Sequence, residues 1–80
     1  MKILILGGNG MLGHAFFNHW KRKYTVKTCV RESEEKYKIF KFFDASNTFF
    51  NVDVIKNNNL EIAIKEFKPH VIVNCIGVTK

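Results

Sequence analysis

Four short apolar runs, separated by glycine or polar residues, recur along this chain of 80 residues. They cover Ile3 to Leu6, Val26 to Val30, Phe49 to Val54 and Val71 to Ile76. The first and the last are nearly continuous, which is typical of strands buried on both faces. The second is rich in β-branched residues, which favour strands. The pattern therefore predicts four strands in this order.

A stretch with apolar residues at helical spacing follows the first run. Leu12, Phe16 and Trp20 recur every four residues and predict a helix that begins near Met11. The basic triplet 21–23 then falls at the carboxyl end of this helix, where cations interact favourably with the helix dipole.

A second helix is predicted before the last strand. Asn58 and Glu61 have the spacing of a capping box, in which two side chains satisfy free N–H groups at a helix start. Pro69 ends the helix because it cannot continue the hydrogen-bond pattern. The apolar stripe of this helix comprises Leu60, Ile64 and Phe67.

The segment 31–51 fits more than one structure. Ser33, with the two glutamates that follow it, could open a helix, and Tyr37 with Phe40 continues helical spacing. The pair Ile39–Phe40 suits a strand equally well, so the sequence allows either a helix or a strand in this segment.

The alternation of strands and helices predicts an α/β fold with a parallel sheet and right-handed crossovers. The expected strand order is 3-2-1-4, that of a Rossmann-type sheet limited to about four strands. We expect residues 1–80 to form one domain, since a chain of this length buries a single modest core. A ligand would lie at the switch point beside the first strand.

The turn between the first strand and the first helix is rich in glycine. Gly8, Gly10 and Gly13 satisfy the G-x-G-x-x-G spacing, and Gly7, Gly10 and Gly13 satisfy the wider G-x-x-G-x-x-G spacing. Such glycines permit a tight turn, the approach of a pyrophosphate and close packing of helix on strand. The N–H groups of the first helical turn then bind the anion. Because a plain turn needs fewer glycines, the motif predicts a dinucleotide site.

The wider spacing is the one that the short-chain dehydrogenase/reductase superfamily uses, particularly in its extended branch. Residues 5–14, Ile-Leu-Gly-Gly-Asn-Gly-Met-Leu-Gly-His, resemble the opening of the sugar-nucleotide reductases and epimerases of that branch. The likeness is greatest to the dTDP-4-dehydrorhamnose reductase-like group and covers nearly the whole chain. It implies hydride transfer between a nicotinamide cofactor and a nucleotide-linked keto-sugar.

The resemblance also implies roles for residues near the ends of strands 3 and 4. Asp53 would accept a hydrogen bond from the adenine amino group, and Val54 would lie behind the ring. Asn74 and Gly77 match the family's turn that lines the nicotinamide ribose. Between them, Cys75 and Ile76 stand at positions where the family more often has smaller residues. The predicted cofactor-binding residues are Gly7, Asn9, Gly10, Met11, Leu12, Gly13, Arg31, Asp53, Val54, Asn74, Cys75, Ile76 and Gly77.

The residues after strand 2 bear on the choice of dinucleotide. A carboxylate at this position binds the ribose hydroxyls of NAD and would repel the extra phosphate of NADP. Arg31 comes first here and can donate a bidentate pair of hydrogen bonds to a 2′-phosphate. We therefore expect NADP, with NAD as the alternative if the strand is longer and Glu32 takes the ribose position.

No catalytic residue is predicted within this chain. The superfamily uses a Tyr-x-x-x-Lys pair as its acid or base, and Tyr37 with Lys41 has this spacing. The pair lies between strands 2 and 3 instead of after strand 4, so we interpret it as two neighbours on a helix. The three histidines have no shared metal spacing, which predicts no metal site. We therefore expect this chain to be the coenzyme-binding part of a longer enzyme and to be inactive alone.

Composition restricts the class of protein. The chain is 46% hydrophobic and 25% charged, which is typical of a globular domain. It has neither an apolar run that would span a bilayer nor a signal peptide, so we expect a cytoplasmic protein with no membrane contact. Cys29 and Cys75 lack metal or redox spacing and are interpreted as reduced, buried thiols, with a disulfide as the alternative.

The net charge of +6 leaves a further interpretation open. Basic domains can bind nucleic acid, although the scattered lysines argue against that partner here. Beside the reductase we retain two hypotheses, a non-catalytic NADP(H)-sensing module and a small basic domain that binds nucleic acid. Strand 4 would form an exposed sheet edge, so the isolated chain is expected to self-associate or to fold only marginally.

Overall fold

The computed structural model describes residues 1–8, 11–37, 46–53 and 58–76. Its strands are β1 (Lys2–Leu6), β2 (Thr25–Cys29), β3 (Thr48–Phe49) and β4 (Val71–Asn74). Its helices are α1 (Met11–Trp20) and α2 (Asn59–Phe67), with a short 3₁₀ helix at Glu34–Tyr37.

These strands form one parallel sheet in the order β3-β2-β1-β4, which confirms the predicted Rossmann-type topology. β2 and β3 lie on one side of β1, and the chain then returns through α2 to β4 on the other side of β1. β1 and β4 therefore flank the topological switch point, where ligands bind in sheets of this kind.

The central strand β1 is buried on both faces, as its continuous apolar run predicts. Ile3 and Ile5 pack in the cluster that contains Phe17 of α1. Leu4 and Leu6 pack on the opposite face, in the cluster that contains the α2 residues. Because side chains alternate along a strand, β1 holds a helical layer against each face of the sheet.

The predicted third strand is present, but it covers only Thr48–Phe49, and residues 50–53 lie outside it, so its predicted extent is wrong. Val30 donates its N–H to the carbonyl of Phe49 (3.0 Å) and accepts from the N–H of Val52 (2.9 Å). A regular parallel ladder would pair the carbonyl of Val30 with Asn51, so the chain contains one extra residue here, a bulge at Asn51. Asn51 has a φ of 60°, a left-handed conformation that asparagine tolerates better than most residues.

The predicted capping box at the start of α2 is also wrong. Asn58, with φ −102° and ψ 23°, makes no side-chain cap hydrogen bond, because its backbone is outside the extended region that a capping residue adopts. Asn59 instead donates its side-chain N–H to the carbonyl of Asn51 (2.7 Å). Glu61 lies 3.6 Å from the Nζ of Lys65, in an exposed pair.

The other element ends lie close to their predicted positions. α1 ends at Trp20 and is followed by the exposed basic triplet 21–23, and α2 ends before Pro69. β4 ends at Asn74 rather than at Ile76, although the N–H of Cys75 still donates to the carbonyl of Leu6 (2.8 Å). For the segment 31–51, the sequence allowed either a helix or a strand. Its residues 34–37 form the 3₁₀ helix, and residues 38–45 lie outside the described residues.

The two cysteines are free thiols on opposite faces of the sheet. Cys29 ends β2 in the cluster beneath α2, and Cys75 packs against the cluster beneath α1. They therefore cannot form a disulfide with each other, which agrees with their interpretation as reduced thiols. Cys29 is buried as predicted, whereas Cys75 is only half-buried. Burial raises the pKa of the Cys29 thiol to about 12 and also raises the pKa of Cys75.

We expect the free energy of unfolding to fall as the pH rises above about 9. The Cys29 thiol ionises near its ordinary pKa of 9.0 in the unfolded chain, but only at a pKa of about 12 in the folded one. As the pH rises, the unfolded state thus releases the Cys29 proton first. The contribution of this thiol to the free energy of unfolding is therefore complete below pH 9 and is lost between pH 9 and about pH 12. Urea unfolding at several pH values measures this dependence. Cys29→Ala should flatten it and Cys75→Ala should retain most of it; equal slopes in all three proteins would contradict the assignment.

Candidate dinucleotide-binding site

The turn after β1 begins at Gly7, whose φ of 81° lies in the left-handed region that favours glycine. Its N–H donates to the carbonyl of Cys29 (2.9 Å), so the β1–β2 ladder continues to this residue. A Cβ at position 7 would lie 3.1 Å from the main-chain N of Ile76 and 3.2 Å from the carbonyl carbon of Cys75. The turn therefore touches the segment that follows β4.

Gly13 and Gly8 are held by contacts within the chain. A Cβ on Gly13 would overlap the carbonyl oxygen of Gly7 and lie 3.0 Å from the carbonyl carbon of that residue. A Cβ on Gly8 would overlap Oγ1 of Thr28 and lie 2.7 Å from its Cβ. Gly7 and Gly13 of the wider glycine spacing are thus in direct contact, whereas Gly8 packs against β2.

Thr28 is a supporting residue that the sequence analysis missed. It is fully buried, and its hydroxyl donates to the carbonyl of Ile5 (2.8 Å). This bond satisfies the buried hydroxyl and joins β2 to β1 just before the glycine turn. The sequence could have indicated this role, because Thr28 is a polar residue on the same face of the strand as Val26 and Val30 and therefore points into the core.

The segment after β4 is shaped by its own asparagine. The Oδ1 of Asn74 accepts a hydrogen bond from the N–H of Ile76 (3.0 Å), a local turn typical of this residue type. This turn, with the bond from Cys75 to β1, holds Ile76 against Gly7. The structure thus brings the residues predicted to line the nicotinamide ribose next to the glycine turn.

The residues predicted to bind the adenosine lie at the ends of β2 and β3. Arg31 is two residues beyond β2, its side chain is 72% exposed, and its Nε lies 3.7 Å from Oε2 of Glu32. An exposed ion pair of this kind contributes little to stability, so it leaves the guanidinium available to a stronger anion. The N–H of Asn51 donates to the carbonyl of Glu32 (3.0 Å), which joins the two strand ends. Asp53, half-buried, follows two residues later.

Part of the predicted site lies in α1 and part lies outside the described residues. Met11 and Leu12 form the first turn of α1, where the N–H groups have no partner within the helix. Tyr37 ends the 3₁₀ helix, and the lysine with which it was predicted to pair on a helix lies outside the described residues. Also outside them are Asn9, Gly10, Val54 and Gly77.

Two of the histidines have hydrogen-bond partners within the chain. His14 Nε2 lies 3.0 Å from the side-chain nitrogen of Asn18, and His70 Nδ1 accepts from the N–H of Lys2 (3.0 Å). Within the ranges that the structure describes, no group of three or more His, Cys, Asp or Glu could hold a metal ion. Neither described helix has the length and apolar content needed to cross a bilayer.

The sheet order, the helices on its two faces and the glycine turn at the switch point define a Rossmann-type α/β domain. The model of the NAD dependent epimerase/dehydratase family matches residues 3–80. The chain therefore belongs to this family of the extended short-chain superfamily, whose members bind NAD(P). No curated protein and no solved structure gives a significant match.

We expect Gly8→Ala to lower the free energy of unfolding by roughly 1–3 kcal/mol, the usual cost of an overpacked core. The new methyl group would overlap the Thr28 side chain, so the same substitution in a Thr28→Ala background should cost less. A double-mutant cycle by urea unfolding measures this coupling. Thr28→Val is the control, because it keeps both γ atoms and should leave the cost undiminished. An equal cost in the Thr28→Ala background would exclude the contact as its cause.

Proposed function

We propose that this chain is the NADP(H)-binding N-terminal part, residues 1–80, of a nucleotide-sugar reductase or epimerase similar to dTDP-4-dehydrorhamnose reductases. The whole enzyme would transfer hydride from NADPH to a nucleotide-linked keto-sugar. The observation that carries the proposal is the glycine turn at the switch point. Gly13 packs on the main chain of Gly7, which places the first turn of α1 and its free N–H groups beside the carboxyl end of β1.

The residues present fit a dinucleotide in an extended arrangement. The pyrophosphate would lie against the glycine turn and the free N–H groups of the first turn of α1. The adenine would lie near Asp53, and the nicotinamide ribose would lie near Asn74 and the segment that follows it. The bound cofactor supplies the hydride, and the role of this chain is to bind and orient it.

Arg31 supports NADP as the preferred cofactor. Its side chain is exposed at the tip of β2, and its neighbour Glu32 is an exposed carboxylate that holds it only loosely. A 2′-phosphate carries more charge than a carboxylate and accepts two parallel hydrogen bonds from a guanidinium. It would therefore displace Glu32 as the partner of Arg31.

Calorimetric titration of the 80-residue chain with NADPH and NADH tests the proposal. We expect NADPH to bind more tightly, and Arg31→Ala to weaken NADPH binding about tenfold, the value of a charge-assisted hydrogen bond. NADH binding should change little. Lys36→Ala is a matched control, since it removes an exposed cation from the neighbouring 3₁₀ helix. Absence of binding would refute the proposal, and tighter binding of NADH by the wild type would refute the assignment of Arg31.

We further propose that the protein is cytoplasmic and that the 80-residue chain associates with itself. Cys29 and Cys75 are free thiols, which persist in a reducing compartment. β4 is an edge of the described sheet. The exposed fractions of Val71, Ile72 and Ile76 are 41%, 45% and 43%. An apolar strand edge of this kind offers unpaired main-chain groups to a second copy.

We expect sedimentation velocity to show a concentration-dependent dimer or larger species of the 80-residue chain. Ile72→Lys should shift the chain toward monomer, because a charged side chain on an edge strand opposes pairing. Ile62→Lys is the control: Ile62 is 53% exposed on α2, so the same charge is added away from the edge. A monomer at all concentrations, or equal effects of the two substitutions, would contradict association through β4.

A further inference from the structure

We propose that Asn59 is a positioning residue for the cofactor. Its side chain ties the start of α2 to the bulge at Asn51 and, through that residue, to the tip of β2 that carries Arg31. This inference rests on the proposed function of the site, since it assigns a residue that holds the adenosine-binding elements in place.

The connection consists of two hydrogen bonds that meet at one residue. The side-chain N–H of Asn59 donates to the carbonyl of Asn51 (2.7 Å). The N–H of Asn51 donates to the carbonyl of Glu32 (3.0 Å). Both bonds use main-chain atoms of Asn51, so the main chain of the bulge is held from two sides. The β2 tip, the end of β3 and α2 are joined at this point.

The bulge needs such support because Asn51 has a φ of 60°, which is disfavoured for a residue with a Cβ. The extra residue also decides which way the next side chains point. Val52 is buried in the cluster beneath α2, and Asp53 is half-buried. A shift of one residue exchanges the faces of a strand. Loss of the bulge would therefore turn Val52 out of the core and move Asp53 from its present position.

The bond from Asn59 does not serve to cap its own helix. Its amide donates away from α2, to a residue eight positions earlier in the chain. The preceding residue, Asn58, is exposed and makes no side-chain cap hydrogen bond. These adjacent asparagines thus provide a matched pair, one inside the connection and one outside it.

Calorimetric titration of the 80-residue chain and its Asn59→Ala and Asn58→Ala variants tests the inference. We expect Asn59→Ala to weaken NADPH binding about fivefold, the value of one hydrogen bond, and NADH binding by less. The preference for NADPH therefore falls, because the position of Arg31 is relaxed together with that of Asp53. Asn58→Ala should leave both affinities unchanged. A purely structural role would lower the two affinities equally and leave the preference intact.

A second pair of variants guards against unfolding of Asn59→Ala. In Asn59→Asp the donor is lost, but a carboxylate in the first helical turn interacts favourably with the helix dipole and supports α2. Asn58→Asp adds the same charge one residue earlier and retains the connection. We expect weaker NADPH binding and a reduced preference in Asn59→Asp relative to Asn58→Asp.

The outcomes separate the two proposals. A wild-type chain that binds neither dinucleotide would overturn the proposed function and this inference with it. A wild-type chain that binds NADPH, with equal affinities and preferences in each matched pair, would overturn only the role of Asn59. An Asn59 variant that loses affinity for NADPH and NADH in equal proportion would also overturn it.

Discussion

Close packing around the carboxyl end of β1 constrains the glycine turn, the start of α1 and the segment after β4. β1 is buried on both faces, so the chain must leave it between two neighbouring strands. Gly7 stands at this exit, bonded to Cys29 on one side and in contact with Ile76 on the other. Gly13 of α1 packs on the Gly7 main chain from a third direction. The start of α1 is fixed by these contacts, and with it the direction of the N–H groups of its first turn.

This packing changes the meaning of the glycine motif. Gly8 is required by the side chain of Thr28, and Gly13 is required by the main chain of Gly7, whether or not a ligand is bound. The number of glycines is therefore no argument for a dinucleotide by itself. The stronger arguments are the place of the turn at the switch point and the membership of the chain in the NAD dependent epimerase/dehydratase family.

Five cations of the described residues lie away from the candidate site. Lys2 begins β1, the triplet 21–23 precedes β2, and Lys68 precedes β4, so these cations lie at the amino ends of the parallel strands. The candidate site lies at the opposite ends, where Arg31 is accompanied by Glu32 and Asp53. The Nζ of Lys2 donates to the carbonyl of Phe67 at the end of α2 (3.2 Å), which is one structural use of this charge.

Local pattern alone determined β1, α1, β2, α2, β4 and the parallel strand order, because strand-like and helix-like patterns alternate along the chain. It also located the glycine turn and Arg31. Only the tertiary structure decided the length of β3, the failed capping box at Asn58 and the supporting roles of Thr28 and Asn59. These features depend on hydrogen bonds and contacts between residues far apart in the chain, and no local period records them. The three described glycines show the same division: the sequence predicted a glycine-rich turn, but only packing showed that Gly7, Gly8 and Gly13 meet different requirements.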